Sequence, residues 1–225
     1  MRFLKMETTA LAFILLWALP AGAFTVEFIS ADQWGQPDEA IGLAGGVVED
    51  FEDTQLAEGL LIEIADNEGN LTGTGSPTLP AIFDPVAGDP YGDSFVTGVW
   101  DGSHCLVNTA GNQSIYYGSQ DWQPVGFYIP EGTAWIAIAS QQVTINHVLF
   151  VNGQSMGRLE SLGFTQSTGP NGVMVIRSES ETEPIVSVSF GGRGDAFTVD
   201  HVVFAPAGQL ATDKLSWGNV KALYR

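Results

Sequence analysis

Short apolar runs separated by turn-forming residues constrain the fold of this chain more than any other feature. Between Phe24 and Ala207 these runs are only a few residues long, and Gly, Pro, Asn or Asp bound them. The chain has 27 glycines and 11 prolines, enough to supply a turn after each run. Because the runs lack helical periodicity, they predict an all-β fold, a two-sheet antiparallel β-sandwich of jelly-roll type.

The predicted strands follow one another through most of the chain. They are Thr25–Ile29, Gly46–Phe51, Leu60–Ile64, Ala81–Phe83, Phe95–Trp100, Cys105–Asn108, Ser114–Tyr117, Val125–Ile129, Trp135–Ser140, Val143–Val151, Ser155–Leu159, Val173–Arg177, Ile185–Phe190 and Phe197–Phe204.

Two local patterns support these strands. Val186, Val188 and Phe190 alternate with two serines, which places apolar and polar side chains on opposite faces. The pair Asn152-Gly153 between two apolar runs predicts a tight hairpin. By contrast, Asp66 to Asp93 is rich in Gly, Pro, Asn and Thr and predicts a long surface loop.

The two ends of the chain differ from its middle. Arg2 and Lys5 precede ten apolar residues at positions 10–19 and the ending Ala21-Gly22-Ala23, a pattern that predicts a secretory signal peptide over residues 1–23. The sandwich is then expected over residues 24–207. Residues 208–225 form a tail in which Ser216 begins a short predicted helix. We therefore expect a secreted protein, extracellular or at the cell surface, with no transmembrane segment.

Charge limits the partners. The chain has 8 basic and 26 acidic residues and a formal net charge of −18. Such a charge repels nucleic-acid phosphates and anionic lipid, so neither is an expected partner. The carboxylates could attract divalent cations or could simply keep a secreted protein soluble. Cys105 is the only cysteine, which excludes an intrachain disulfide.

Two acidic stretches lie far apart in the sequence, at residues 49–53 and in the last predicted strand. The first and last strands of many jelly rolls pair in one sheet, which would bring Glu52 and Asp200 together. A calcium ion that takes six to eight oxygen ligands would relieve their repulsion, so this pair is the predicted structural calcium site. The alternative is a solvated edge whose charges discourage aggregation.

Three short motifs give the chain a family resemblance. They are the Asp50-Phe51-Glu52-Asp53 start, the middle segments 98–102 and 106–108, and the ending at residues 199–204. Together they resemble secreted bacterial β-sandwich domains of the lectin-like and carbohydrate-binding-module type, found in exported proteins with C-terminal sorting tails. In calcium-bearing members of such modules an early Phe-Glu and a late Asp hold the ion, which implies Phe51-Glu52 and Asp200 here. The chain's own tail, residues 216–225, lacks the second apolar segment and basic finish of the familiar sorting tail.

Aromatic residues suggest how a glycan would bind. Trp100, Tyr128 and Trp135 belong to a group of aromatics in the middle third of the chain, interleaved with polar residues. Aromatic rings stack on the apolar faces of sugars while amides and carboxylates take the hydroxyls. The predicted ligand-binding residues are Trp122, Tyr116, Tyr117, Asp101, Asn108, Asn112 and Asp121.

Catalytic patterns are weak. His104, His147 and His201 have no metal-ligand spacing, and no G-x-S-x-G motif is present. The leading hypothesis is therefore a secreted, non-catalytic, lectin-like carbohydrate-binding domain, with glycans or polysaccharides and cell-surface components as the expected partners. The alternatives are a structural or adhesive extracellular protein and, less favoured, a glycosidase or polysaccharide lyase.

Overall fold

The computed structural model describes residues 24–33, 35–66, 69–79, 86–87, 104–107, 125–141, 147–164, 170–180, 182–191 and 198–206. The strands are β1 Phe24–Ile29, β2 Val47–Glu49, β3 Leu61–Ile64, β4 Val86–Ala87, β5 His104–Val107, β6 Val125–Thr133, β7 Trp135–Gln141, β8 Val148–Val151, β9 Gln154–Arg158, β10 Pro170–Ser178, β11 Ile185–Gly191 and β12 Thr198–Phe204. Short 3-10 helices span Ala31–Gln33 and Leu159–Leu162.

Several sequence predictions fall outside these ranges. They concern the predicted strands at 81–83, 95–100 and 114–117, the signal peptide at 1–23 and the tail at 208–225. Within the described ranges, no helix is long and apolar enough to cross a membrane.

The strands form two antiparallel sheets. In the described part of the chain, the larger sheet has the order β1-β10-β7-β12-β5-β4, with β2 also paired to β12, and the smaller sheet has the order β3-β6-β11-β8-β9. Early and late strands are neighbours, as in a jelly roll, and the prediction of a two-sheet antiparallel β-sandwich is confirmed. β2 pairs with β12 so that Glu49 lies opposite Val202, which confirms the predicted pairing of the first acidic stretch with the last strand.

The core lies between the two sheets. Phe127, Phe190 and Ile62 from the smaller sheet pack with residues such as Ile138 and Leu106 from the larger one, and all five are at most 1% exposed. Alternation places the neighbouring residues of each strand on the outer faces. The predicted alternation of β11 holds at Val188 and Phe190, which lie in the core. It fails at Val186, which is half-buried outside the core beside a register shift, while Ile185 lies in the core.

A second apolar cluster covers the outer face of the larger sheet. Ile41 and Leu43, from the segment before β2, are buried against Ala137, Ala139 and Val175. His201 anchors the same segment through its Nε2 atom, 3.0 Å from Oδ1 of Asp38. His201 is thus a buried histidine that holds this segment on the sheet.

The predicted hairpin joins β8 and β9. Asn152 and Gly153 have φ angles of 51° and 74°, as a type I′ turn requires at both central positions. The Asn152 side chain also holds the turn to β11: Oδ1 accepts from the amides of Val186 (2.8 Å) and Ser187 (3.1 Å), and Nδ2 donates to the Pro184 carbonyl (2.8 Å).

Candidate functional site

A cleft of about 260 Å³ lies on the outer face of the smaller sheet. Its floor comes from β6 and β11, one end comes from the β8–β9 hairpin, and one wall comes from the loop after β3. The described residues that line it are Gly69, Asn70, Leu71, Thr72, Gly73, Tyr128, Asn152, Gly153, Ser187 and Ser189. None of these is an Asp, Glu, Lys, Arg or His.

Strand register explains why the wall stands where it does. Glu63 pairs with Gly126, Gly126 with Ser189, and Ser189 with Phe150, so these four residues form one row across four strands. Their neighbours in sequence, Ile62, Phe127, Val188 and Val151, lie in the core. The row therefore faces outward, and residues 69–74, hereafter the cleft loop, lie over it.

Glu63 binds the cleft loop most extensively. Its carboxylate accepts the backbone amide of Thr72 at Oε1, and those of Gly73 (3.0 Å) and Thr74 (3.1 Å) at Oε2. Burial alone would raise the pKa of Glu63, but these amides and the Thr72 hydroxyl together hold it below the usual glutamate value. With the loop in place, the charged form of Glu63 is therefore favoured over the protonated form.

The other three positions of the row also contact the cleft loop. A Cβ atom on Gly126 would overlap Leu71, so the glycine leaves the space that this side chain fills. Gly69 likewise lies against the Phe150 ring, and the Ser189 hydroxyl donates to the Gly69 carbonyl. The base of the loop is closed by Asp66, whose Oδ1 accepts the Asn70 amide (2.7 Å).

The adjacent row provides the floor of the cleft. Tyr128 pairs with Ser187, and the backbone amide of Asn152 donates to the Ser187 carbonyl (2.9 Å). Tyr128 and Ser187 are half-buried, so part of the tyrosine ring faces the cleft. The cleft thus combines an aromatic ring with hydroxyl and backbone groups.

A second carboxylate organises the acidic stretch after β2. Glu49 is 3% exposed, and it accepts the amides of Phe51 at Oε1 (2.7 Å) and of Ala57 at Oε2 (2.6 Å). Burial is the main cause that raises the pKa of Glu49, and the negative charges of Asp50 and Asp53 add to it. This carboxylate holds the fold of residues 50–57 around Phe51, which is fully buried at a left-handed φ of 55°.

One predicted calcium ligand, Glu52, lies in this acidic stretch, and the other, Asp200, lies in β12. Asp200 is fully buried at a register shift of β12 against β7, and Glu52 is half-buried just beyond the end of β2. Among the residues that the structure describes, no group of three or more His, Cys, Asp or Glu side chains is placed to hold a metal ion. Two carboxylates offer four of the six to eight oxygens that calcium takes, so the calcium site stays a prediction.

The predicted sugar-binding residues are not tested by the described structure. Trp122, Tyr116, Tyr117, Asp101, Asn108, Asn112 and Asp121 all lie outside the described ranges. Tyr128 belongs to the aromatic group in the middle third of the sequence, but it is not one of the predicted ligand-binding residues. Trp135, from the same group, is half-buried on the opposite sheet, with the Arg177 guanidinium 5.9 Å from its ring centre.

No protein-family model and no curated protein matches this chain. One similar solved structure comes from a study of the Ruminococcus flavefaciens cellulosome and its expansion in glycan recognition: identity is 10%, coverage is 66% of this chain and 95% of that chain, and the TM-score is 0.28. Another is a GH31 alpha-xylosidase from Xanthomonas citri, with 10% identity, coverage of 73% of this chain and 25% of that chain, and a TM-score of 0.17. At such TM-scores neither similarity assigns a function to this chain.

Proposed function

We propose that this protein is a secreted, non-catalytic carbohydrate-binding domain that takes a neutral glycan in the cleft beside Tyr128. The observation that carries the proposal is the chemistry of the described lining. The chain has a net charge of −18, yet the described residues that line the cleft offer only uncharged groups, one of them an aromatic ring. A neutral, hydroxyl-rich ligand fits such a surface, because it can stack on the ring and exchange hydrogen bonds with hydroxyls and amides.

The size of the cleft limits how much glycan it can hold. Small-molecule sites generally begin at about 300 Å³, and this cleft has about 260 Å³. We therefore expect it to take a short segment of a chain rather than a large branched structure.

Binding is favoured over hydrolysis by the same lining. Glycosidases use two carboxyl groups that lie ~5–10 Å apart across the scissile bond. The nearest carboxylate on the row beneath the loop, Glu63, accepts hydrogen bonds from three amides of the cleft loop. Its role there is to hold protein backbone, which supports a binding site rather than a catalytic one.

The test is a glycan array with the secreted chain, followed by titration of each neutral oligosaccharide that binds. Tyr128→Ala should weaken binding about tenfold through loss of ring stacking. Tyr128→Phe, which keeps the ring, is the matched control and should retain most of the affinity. Thermal unfolding of both variants shows whether either change disturbs the sheet.

Three results would reject the proposal in different ways. Absence of binding to every glycan on the array favours the structural or adhesive alternative. Release of new reducing ends from a bound polysaccharide favours a glycosidase, and release of unsaturated products favours a lyase. Equal binding by Tyr128→Ala and the parent chain moves the glycan site away from this cleft.

A further inference from the structure

The wall of the cleft depends on a residue that does not line it. The cleft loop contains no strand or helix, yet Thr72 and Gly73 line the cleft and donate their amides to Glu63 below. Just past the loop, Ile62 and Ser76 exchange two backbone hydrogen bonds (2.9 and 2.8 Å), which fix its far end to β3. Between this pair and the base of the loop at Asp66, the Glu63 carboxylate is the acceptor that holds the loop against the sheet.

We infer that Glu63 is the positioning residue of this binding site, and that its ionised carboxylate keeps the cleft in the shape that binds glycan. This inference rests on the proposed function and adds a form of regulation to it. When Glu63 is protonated, it loses acceptor strength toward three amides at once, and the wall residues Thr72 and Gly73 are released.

Within the described part of the chain, burial and hydrogen bonds are the causes that shift the pKa of this carboxylate. Among the residues that the structure describes, the groups shown to contact Glu63 are Gly126 from β6 and Thr72–Thr74 from the cleft loop, all uncharged. Asp66, at the base of the loop, bonds to Asn70 instead, with its Oδ2 accepting from Nδ2 (2.8 Å). The pKa of Glu63 is lowered, so the loop is held at neutral and mildly acidic pH. Release is expected only when the pH falls below the ordinary glutamate pKa of about 4.3.

The first experiment needs no ligand. Hydrogen exchange is measured at the amides of Thr72, Gly73 and Thr74 in the parent chain and in Glu63→Gln. We expect exchange at these three amides to become about tenfold to a hundredfold faster in the variant, the change expected when hydrogen bonds to a charged acceptor are lost. Glu49→Gln is the matched control: it alters another buried glutamate that accepts two loop amides, and it should leave these three amides unchanged.

The second experiment titrates neutral hexasaccharides of the gluco, xylo and manno series against the same three proteins. Glu63→Gln should bind at least about tenfold more weakly than the parent, and its affinity should not vary with acid pH. The parent's affinity should be constant near neutrality and fall in acid. Glu49→Gln should bind like the parent, which separates positioning from general stability.

Each outcome bears on one part of the inference. Unchanged exchange at residues 72–74 in Glu63→Gln overturns the role of Glu63 in holding the loop. Faster exchange with unchanged hexasaccharide affinity overturns its role in binding. If the parent chain binds no hexasaccharide, the proposed function fails for these ligands and the positioning role fails with it, while the exchange data still decide whether Glu63 holds the loop.

Discussion

Two buried glutamates near the ends of short strands both accept backbone amides from a following loop, but their pKa values shift in opposite directions. Glu49 ends β2 and holds the amides of Phe51 and Ala57, and Glu63 on β3 holds three amides of the cleft loop. The pKa of Glu49 is raised and that of Glu63 is lowered. Burial is the largest effect on the pKa of Glu49 and raises it, whereas hydrogen bonds outweigh the effect of burial at Glu63.

The number of donors and the neighbouring charge add to this difference in burial. Glu63 receives three amides and a hydroxyl, whereas Glu49 receives two amides and also lies near Asp50 and Asp53. Hydrogen bonds to the charged form lower a pKa, and nearby like charges raise it. Residues 50–57 therefore fold around Glu49 although its negative charge is unfavourable there. The cleft loop, by contrast, is held because Glu63 is negatively charged.

The largest effect on stability should come from removing the Phe51 side chain, around which residues 50–57 fold. Phe51→Ala removes a fully buried ring from the core, and we expect a loss of ~3–5 kcal/mol in the free energy of unfolding. Urea unfolding followed by tryptophan fluorescence measures it. A loss under about 1 kcal/mol would mean that the core closes around the missing ring.

Calcium removal should have the next largest effect if Glu52 and Asp200 bind the ion. Saturation at a hundredfold excess over Kd stabilises the folded state by about 2.7 kcal/mol, so chelation should lower Tm by several degrees. Asp200→Asn should reproduce this loss and abolish the response to chelator. Monovalent salt at equal ionic strength is the control, because recovery of Tm with salt alone would indicate general charge repulsion and no specific site.

The smallest effect on stability tests the comparison of Glu49 and Glu63 directly. At neutral pH, Glu63→Gln should cost ~1–3 kcal/mol of unfolding free energy and Glu49→Gln should cost less, since only Glu63 is favoured as an anion. The lowered pKa of Glu63 gives stability that is present above the ordinary glutamate pKa and lost as pH falls through the folded value. The raised pKa of Glu49 gives the reverse, with stability lost as pH rises through the folded value.

The costs of the two substitutions should therefore change in opposite directions on acidification. The cost of Glu63→Gln should shrink, and that of Glu49→Gln should grow. Unfolding curves at a series of pH values measure both. Parallel pH dependence of the two variants would contradict the assignment of opposite pKa shifts.

Most of the sandwich could be predicted from local patterns. The apolar run at Val125–Ile129 and the serines of β11 predicted strands and their core-facing residues, because side-chain alternation is a property of each strand alone. The Asn152-Gly153 hairpin followed from the positive φ angles that this turn needs. The expected surface loop from Asp66 to Asp93 was wrong for its described part, where Gly69 is buried, Leu79 is 8% exposed and Val86–Ala87 forms β4.

The cleft could not be predicted in the same way. Glu63, Gly126, Ser189 and Phe150 form a row only because four strands from separate parts of the sequence pair in one register. Sequence spacing contains no information on that register. The available signal was a lone carboxylate inside the apolar run 60–64, followed by a loop of Gly and Thr whose amides need acceptors.

The Asn152-Gly153 turn has a consequence for the chemical ageing of the molecule. Asn-Gly is the dipeptide most prone to deamidation, in which the glycine nitrogen attacks the side-chain amide carbon and ammonia leaves. In the folded chain the Asn152 side chain is held by hydrogen bonds to Val186, Ser187 and Pro184, and we expect this restraint to slow the attack. Copies that unfold lose this protection and acquire an aspartate or isoaspartate at the rim of an otherwise uncharged cleft. Peptide mapping after storage in native and denaturing buffer would show whether the fold protects this side chain.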